Sequence, residues 1–153
     1  MPIKSFRGKI LEGADNIQTI SLHTNDGKTG YKITKLEVIG ESPGTVSQES
    51  TFKIFSVPQT ATTNAIDFSD QTLLAVAFFE SDASTSVLFK DTVIFDNVTF
   101  NQDIYLTHKS GSSGKSLNYH IELELVNLAL DENTVATLKD IRNIKSQWVS
   151  NII

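Results

Sequence analysis

The sequence has no cysteine, no long apolar run and no excess of basic residues, and each of these absences excludes a class of protein. Without cysteine there are no disulfides, thiolate metal sites or cysteine nucleophiles. No apolar run approaches the roughly 18 residues of a membrane-spanning helix, so no membrane partner is expected. The first ten residues lack the apolar core of a signal peptide, and export by that route is not expected. With 13 Lys and Arg against 18 Asp and Glu, the net charge of -5 disfavours nucleic acid as a partner.

The residues that are abundant predict an all-β fold. Ser and Thr make up about a fifth of the chain, and its apolar residues come in short alternating runs separated by polar turn clusters. A length of 153 residues, with no internal repeat and no linker, predicts one domain over residues 1–153. The predicted fold is an antiparallel β-sandwich, with the jelly roll as one candidate arrangement.

The strongest strand signal lies between Ser116 and Ala129, where apolar and polar residues alternate with a period of two. A helix would scatter these apolar residues around its axis instead of placing them on one side. We therefore predict a strand with one face in the core. The residues predicted to face the core are Leu117, Tyr119, Ile121, Leu123 and Leu125.

Turn-rich segments between other apolar runs predict two hairpins. The first joins the strand around Ile20 to the run 31–39, and the second joins the strand before the loop 110–114 to the strand after it. Within the run 31–39 the apolar phase changes, which a β-bulge near Thr34 or burial on both faces would explain. The run 72–79 is apolar on both sides and predicts a central strand covered on both faces.

Both ends of the chain are predicted to differ from the sandwich body. Residues up to about 10 form an N-terminal arm, and residues from about 131 to 153 form a C-terminal amphipathic helix and tail. Apolar residues at helical spacing support the helix. They are Val135, Leu138, Ile141, Ile144 and Trp148.

Few residues of the chain match a catalytic or ligand-binding motif. The segment 111–116 resembles the end of a phosphate-binding loop, but the first glycine of that motif is absent and the segment leads into a strand instead of a helix. His120 and Glu122 share one side of their strand, yet no third ligand accompanies them, which favours a solvated face over a metal or acid–base site. Asp67 and Asp70 favour side-chain-bonded turns over paired catalytic carboxylates. We therefore assign no catalytic, cofactor-binding or metal-binding residue and predict that the protein is not an enzyme.

Two groups of apolar and basic residues near the ends are candidates for partner contact, because aromatic and apolar side chains are enriched in interface cores. Phe6 and Arg7 lie in the basic N-terminal segment, for which an edge strand and a partner contact are both open. The C-terminal end favours contact with a neighbouring subunit. Its candidate residues are Trp148, Val149, Ile152 and Ile153.

Several segments together give the chain a resemblance that extends from the N-terminus to about Asn143. They are residues 7–9, 24–31, 94–97, 101–105, 118–124 and 134–143. In these segments the sequence resembles a group of small proteins encoded by tailed phages of marine bacteria and cyanobacteria. The resemblance implies a virion structural protein that decorates or cements the capsid, and it assigns no binding residues.

The resulting hypothesis is a non-enzymatic capsid decoration or cement protein without a cofactor. It would be made in the host cytoplasm, reside on the capsid surface of the virion and bind the major capsid protein. We also expect a homo-oligomer, with a trimer at local threefold positions as the simplest form. One alternative is a tail, neck or fibre-associated component of the virion. The other is a glycan-binding sandwich that uses Tyr31, Tyr105 or Trp148.

Overall fold

The computed structural model describes residues 2–22, 27–85, 88–95, 97–111 and 114–128. These residues form eight β-strands in two antiparallel sheets, which confirms the predicted β-sandwich. The strands are β1 (Ile3–Leu11), β2 (Gln18–Ile20), β3 (Thr29–Gly40), β4 (Gln48–Phe55), β5 (Leu73–Ser81), β6 (Leu88–Ile94), β7 (Ile104–Ser110) and β8 (Ser116–Asn127). The predicted C-terminal helix lies outside the described residues.

The strand pairing is nested, as in a jelly roll. A three-stranded sheet has the order β1-β8-β3, and a five-stranded sheet has the order β2-β7-β4-β5-β6. The first strand therefore pairs with the last, the second with the seventh, and the fourth with the fifth. The exception is β6, which pairs with β5 and reaches β3 through an ion pair between Lys90 and Glu37 at 3.7 Å. The arrangement is a jelly-roll-like sandwich with one strand displaced to the larger sheet.

The hydrophobic core lies between the two sheets. In β8 the predicted alternation is confirmed, because Leu117, Ile121 and Leu123 are fully buried while the intervening side chains reach solvent. From the larger sheet, Phe52 projects into the core and its ring stacks on that of Tyr119 at a centroid distance of 5.4 Å. The predicted burial of the strand over 72–79 is also confirmed, since both faces of β5 are covered along most of its length.

Of the two explanations that the sequence left open for the change of apolar phase in β3, the structure shows the β-bulge. The pairing with β8 shifts register between Ile33 and Lys35, so that Thr34 is the extra residue of a β-bulge. Tyr31 and Ile33 before the bulge and Leu36 and Val38 after it are consequently all buried.

Both predicted hairpins are wrong. β2 pairs with β7 in the larger sheet, whereas β3 pairs with β8 in the smaller one. In the same way β7 belongs to the larger sheet and β8 to the smaller. Each connection instead carries the chain from one sheet to the other, where both strands bury an apolar face in the shared core. Turn composition is local and does not determine which sheet receives the next strand.

The segment predicted as an N-terminal arm is the edge strand β1 of the three-stranded sheet. Phe6 lies opposite Ile121 and packs, partly buried, against the core. Of the two interpretations that the sequence left open, the structure shows the edge strand. A partner contact through this strand stays a prediction.

Candidate interaction surface and buried polar network

An exposed row of apolar side chains lies on the outer face of the larger sheet, along β5 and β6. Ala77 and Phe79 of β5 belong to the core and pair with Thr92 and Lys90 of β6. The side chains of Thr92 and Lys90 therefore lie on the inner face, and the residues that alternate with them, Phe89, Asp91 and Val93, point outward. Phe68, from the segment between β4 and β5, extends the row by packing edge-on against Phe95 at 5.3 Å between ring centroids. We call this row the aromatic stripe. It consists of Phe68, Phe78, Phe89, Val93 and Phe95.

The two ends of the aromatic stripe are its most exposed parts. Phe89 is 51% exposed and contacts the Phe78 ring at 6.0 Å, and Phe68 is 54% exposed. Asp91 interrupts the row in the middle of β6 and is also exposed. Aromatic side chains exposed in a row are costly in water and are typical of surfaces that become covered.

The inner face of β6 is also partly uncovered, because the two sheets differ in width. The smaller sheet ends at β3, so it packs over β5 and only partly over β6. As a result Leu88, which lies on the inner face of β6, is 56% exposed. In the part of the chain that the structure describes, no strand pairs with the free edge of β6. Such an edge offers unpaired backbone groups beside an apolar surface, and Lys90 and Asp91 place charges along it.

The outer face of the three-stranded sheet has a different character, because charged side chains cover it. His120 and Glu122 lie on this face as predicted, with Nε2 and Oε2 3.9 Å apart. Arg7 lies opposite His120, and Lys35 forms an ion pair with Glu122 at 3.9 Å. Two neighbouring cations disfavour a bound metal ion, and no group of three potential ligands suited to a metal occurs within the described ranges.

The predicted contact residues are not brought together on one surface. Phe6 points toward the core while Arg7 points to the outer face, because they are adjacent in a strand. Trp148, Val149, Ile152 and Ile153 lie outside the described residues.

Two of the three side chains proposed for glycan binding, Tyr31 and Tyr105, lie in the described part of the chain. Tyr31 is only 3% exposed and packs against Phe100, so it offers no platform for a sugar, and this part of the prediction is wrong. Tyr105 is partly buried, and Trp148 lies outside the described residues.

A segment between β4 and β5 covers part of the larger sheet and is fastened by Lys53. This lysine is 5% exposed, and its Nζ donates a hydrogen bond to the Ala65 carbonyl at 2.7 Å. Burial lowers the pKa of Lys53, while the negative charge of Asp70 opposes that shift. In the same segment the predicted side-chain-bonded turns are confirmed. Asp67 accepts from the Ser69 amide at 2.9 Å, and Asp70 accepts from the Thr72 amide at 2.8 Å.

An acidic cleft of about 290 Å³ lies where β4 begins and β5 ends. Glu49 and Glu80 stand directly opposite each other in the strand pairing, and Asp82 also lines the cleft. The Asp82 carboxylate already accepts hydrogen bonds from the amide and hydroxyl of Ser84. The cleft is therefore an acidic surface feature, and none of its contacts indicates a ligand.

A buried serine–histidine pair joins the two sheets. His108 Nε2 lies 2.8 Å from Ser50 Oγ, and His108 Nδ1 lies 3.0 Å from the Ile10 carbonyl oxygen. The side chain of Gln48 donates to Ser50 Oγ at 2.8 Å and to the Ser116 carbonyl at 3.0 Å. Ser50 and His108 are 0% and 1% exposed, so a substrate has no access to the hydroxyl. The pair is a structural network and not a nucleophile with its base.

Our sequence interpretation missed this network, although a signal for His108 exists. In β7, Ile104 and Leu106 share the inward phase, and His108 continues that phase two residues later. An inward histidine needs hydrogen-bond partners on both ring nitrogens. The identity of those partners depends on contacts with β1 and β4, which the local pattern does not encode.

Comparison with known protein families finds no match for the chain, and comparison with curated proteins finds none either. Within the described ranges, no helix has the length and apolar character to span a membrane. The fold and the surface therefore define the class, which is a jelly-roll-like β-sandwich with an exposed aromatic edge.

Proposed function

We propose that this protein is a non-enzymatic virion structural protein that decorates or cements a capsid by binding the major capsid protein. The observation that carries the proposal is the aromatic stripe beside the free edge of β6. The sequence resemblance to virion proteins of tailed phages supports the same role. The stripe and the β6 edge form the contact surface in this proposal.

The stabilising effect follows from linkage between binding and assembly. A protein that straddles subunit boundaries adds free energy only to the assembled shell, because each contact of roughly 1,200–2,000 Å² exists only there. A homo-oligomer, with a trimer at local threefold positions as the simplest form, would place one such contact on each surrounding subunit. In this proposal the protein is made in the host cytoplasm and is then retained on the capsid surface.

The location and copy number of the protein in purified particles test the proposal directly. Cryo-electron microscopy locates the protein, and quantitative gel densitometry counts it against the major capsid protein. Hundreds of copies spread over the shell are the expected result. A dozen or fewer copies at one vertex would contradict decoration and assign the protein to the tail or neck.

Phe89→Asp is expected to reduce capsid occupancy by more than tenfold. The substitution places a second carboxylate on the outward face of β6, two residues from Asp91, and loss of an aromatic anchor costs about 2 kcal/mol or more. Occupancy is measured by adding purified protein to particles that lack it and counting bound copies.

The matched control is Ile39→Asp. Ile39 is 49% exposed, which is close to the exposure of Phe89, but it lies on the outer face of the three-stranded sheet. The control is expected to bind as the wild type does. Both variants are expected to unfold at the same temperature as the wild type. Wild-type occupancy by Phe89→Asp would show that the aromatic stripe is not the capsid contact.

Ending the chain after Asn143 tests the contact predicted from the sequence for the C-terminal end. Removal of the four apolar contact candidates is expected to weaken capsid attachment and leave the unfolding midpoint of the sandwich unchanged. Occupancy and thermal unfolding are measured on the same preparation. Normal occupancy by the shortened protein would contradict a role for this end.

A further inference from the structure

One residue of the larger sheet fastens the end of edge strand β1. The side chain of His108 contacts the Ile10 carbonyl through Nδ1 at 3.0 Å, and the His108 carbonyl accepts a hydrogen bond from the Gly13 amide at 2.9 Å. The next residue of β7, Lys109, forms an ion pair with Glu12 at 3.5 Å. The chain from Ile10 to Gly13 is therefore attached to β7 at consecutive positions.

The hydrogen bonds determine where the ring proton lies. The Ile10 carbonyl only accepts, so Nδ1 carries the proton and donates it. Gln48 donates to Ser50 Oγ, so the Ser50 hydroxyl is available to donate to Nε2. The network thus runs in one direction, from Gln48 through Ser50 to the ring and on to Ile10, and it requires a neutral imidazole.

We propose that His108 is a proton-sensitive anchor of β1: a proton on its ring releases the end of β1 from the five-stranded sheet. A second proton, on Nε2, would point at Ser50 and force its hydroxyl away from the bond it makes. Ser50 Oγ would then receive donors from both Gln48 and His108 inside the core. The charged ring reaches water only if a neighbouring element moves aside.

The neighbouring elements differ in how easily they can move. β4 and β8 each pair with a strand on both sides, whereas β8 is the only one of the described strands that pairs with β1. Just after β1, Glu12 Oε2 is buried without a hydrogen bond and lies in the ion pair with Lys109. Moving the β1 end outward hydrates both the ring and the carboxylate. Release of the β1 end therefore costs less free energy than movement of β4 or β8 when the ring is protonated.

Burial and the neighbouring charges act in opposite directions on the pKa of His108. Glu12 of the β1 end favours the proton, while the side chains that β4 and β8 present, Ser50, Gln48 and Ser116, are uncharged. Lys109 is paired with Glu12, and Glu41, which follows β3, accepts from the Ser116 amide. Burial outweighs Glu12 and the Ile10 carbonyl and lowers the pKa of His108.

The stability contribution of the anchored state follows from this lowered pKa. The ring is neutral in the folded protein, whereas in the released or unfolded state it binds a proton near pH 6.5. The anchored His108 therefore makes its full contribution to stability above about pH 6.5. This contribution is lost as the pH falls from there through the lowered pKa of His108 in the folded state.

Amide hydrogen exchange followed by NMR tests the proposal on the intact protein. Between pH 7.5 and pH 5.0, the protection factors of the β1 amides that bond to β8 are expected to fall by roughly tenfold or more relative to those of β4. His108→Gln is expected to remove this pH dependence, because the amide retains a donor and an acceptor but does not titrate. The matched control is His120→Gln, since His120 is solvent-accessible and its loss is expected to leave the β1 response intact.

The ring itself provides a second readout that needs no variant. The imidazole nitrogen shifts of wild-type protein are expected to show the Nδ1-protonated neutral tautomer at pH 7.5 and protonation below pH 6.5, within the range where β1 protection is lost. Equal loss of protection in β1 and β4 would overturn the proposal, and so would a response that vanishes in His120→Gln. If His108→Gln does not fold, the wild-type ring titration and exchange data decide the question by themselves.

Discussion

Replacing Phe52 with alanine is expected to lower the free energy of unfolding by about 3–5 kcal/mol, as measured by urea denaturation. Phe52 is fully buried and stacks on Tyr119, so its ring connects the two sheets. Its removal leaves a cavity between β4 and β8, two strands that each pair on both sides and cannot collapse inward freely. If this variant does not fold, Phe52→Leu provides the graded test, with an expected loss of about 1–2 kcal/mol.

The matched control for this prediction is Phe89→Ala, which removes the same ring from an exposed site. Because Phe89 is 51% exposed, its loss is expected to change the free energy of unfolding by no more than about 0.5 kcal/mol. Similar losses at both positions would mean that the aromatic stripe is part of the folded core.

Gly40→Ala is expected to destabilise the sandwich by about 1–3 kcal/mol through overpacking. A Cβ at this position would lie 2.6 Å from Phe79 Cε1 and 2.7 Å from Gln48 Oε1. Neither neighbour yields easily, because Phe79 is fully buried and the other end of the Gln48 amide is bonded to Ser50 and Ser116. Thermal and urea unfolding measure the loss.

Gly111→Ala serves as the control for the added methyl group. The nearest atom to its Cβ would be Glu49 Cβ at 3.8 Å, an ordinary contact distance. Stability is expected to stay within about 0.5 kcal/mol of the wild type. A Gly40→Ala protein as stable as Gly111→Ala would show that the β3 end moves away from β4 without cost.

Much of the fold could be predicted from local patterns in the sequence. The alternation in β8 predicted which of its residues are buried, since a strand between two neighbours with one wet face has a strict period of two. The shift of phase around Thr34 also had a physical cause, because a bulge adds one residue and reverses the side on which later residues point. Such signals are contained in a few consecutive residues.

Strand pairing was not predictable in the same way. β2 and β3 are adjacent in sequence but belong to different sheets, and β1 pairs with a strand from the other end of the described chain. Many pairings satisfy the same pattern of inward apolar residues. The choice among them depends on the combined burial of the whole core.

The nine phenylalanines differ widely in burial. Phe52, Phe55, Phe79 and Phe100 are buried. Phe68 and Phe89 are more than half exposed. Alternation alone assigns Phe89 to one face of β6, and only the pairing of β6 with β5 shows that this is the outer face of the sandwich.

The nested pairing also determines the order in which the newly made chain can fold. Phe6 in β1 has its partner Ile121 in β8, so the first strand waits for the synthesis of more than a hundred further residues. At roughly 5–20 residues per second, that interval lasts on the order of 10 s on the ribosome. The β4 and β5 pair, by contrast, needs only the connection over residues 56–72 and can form early. β1 is thus the segment that stays unpaired longest during synthesis, and chaperones that bind extended apolar segments would meet the nascent chain there.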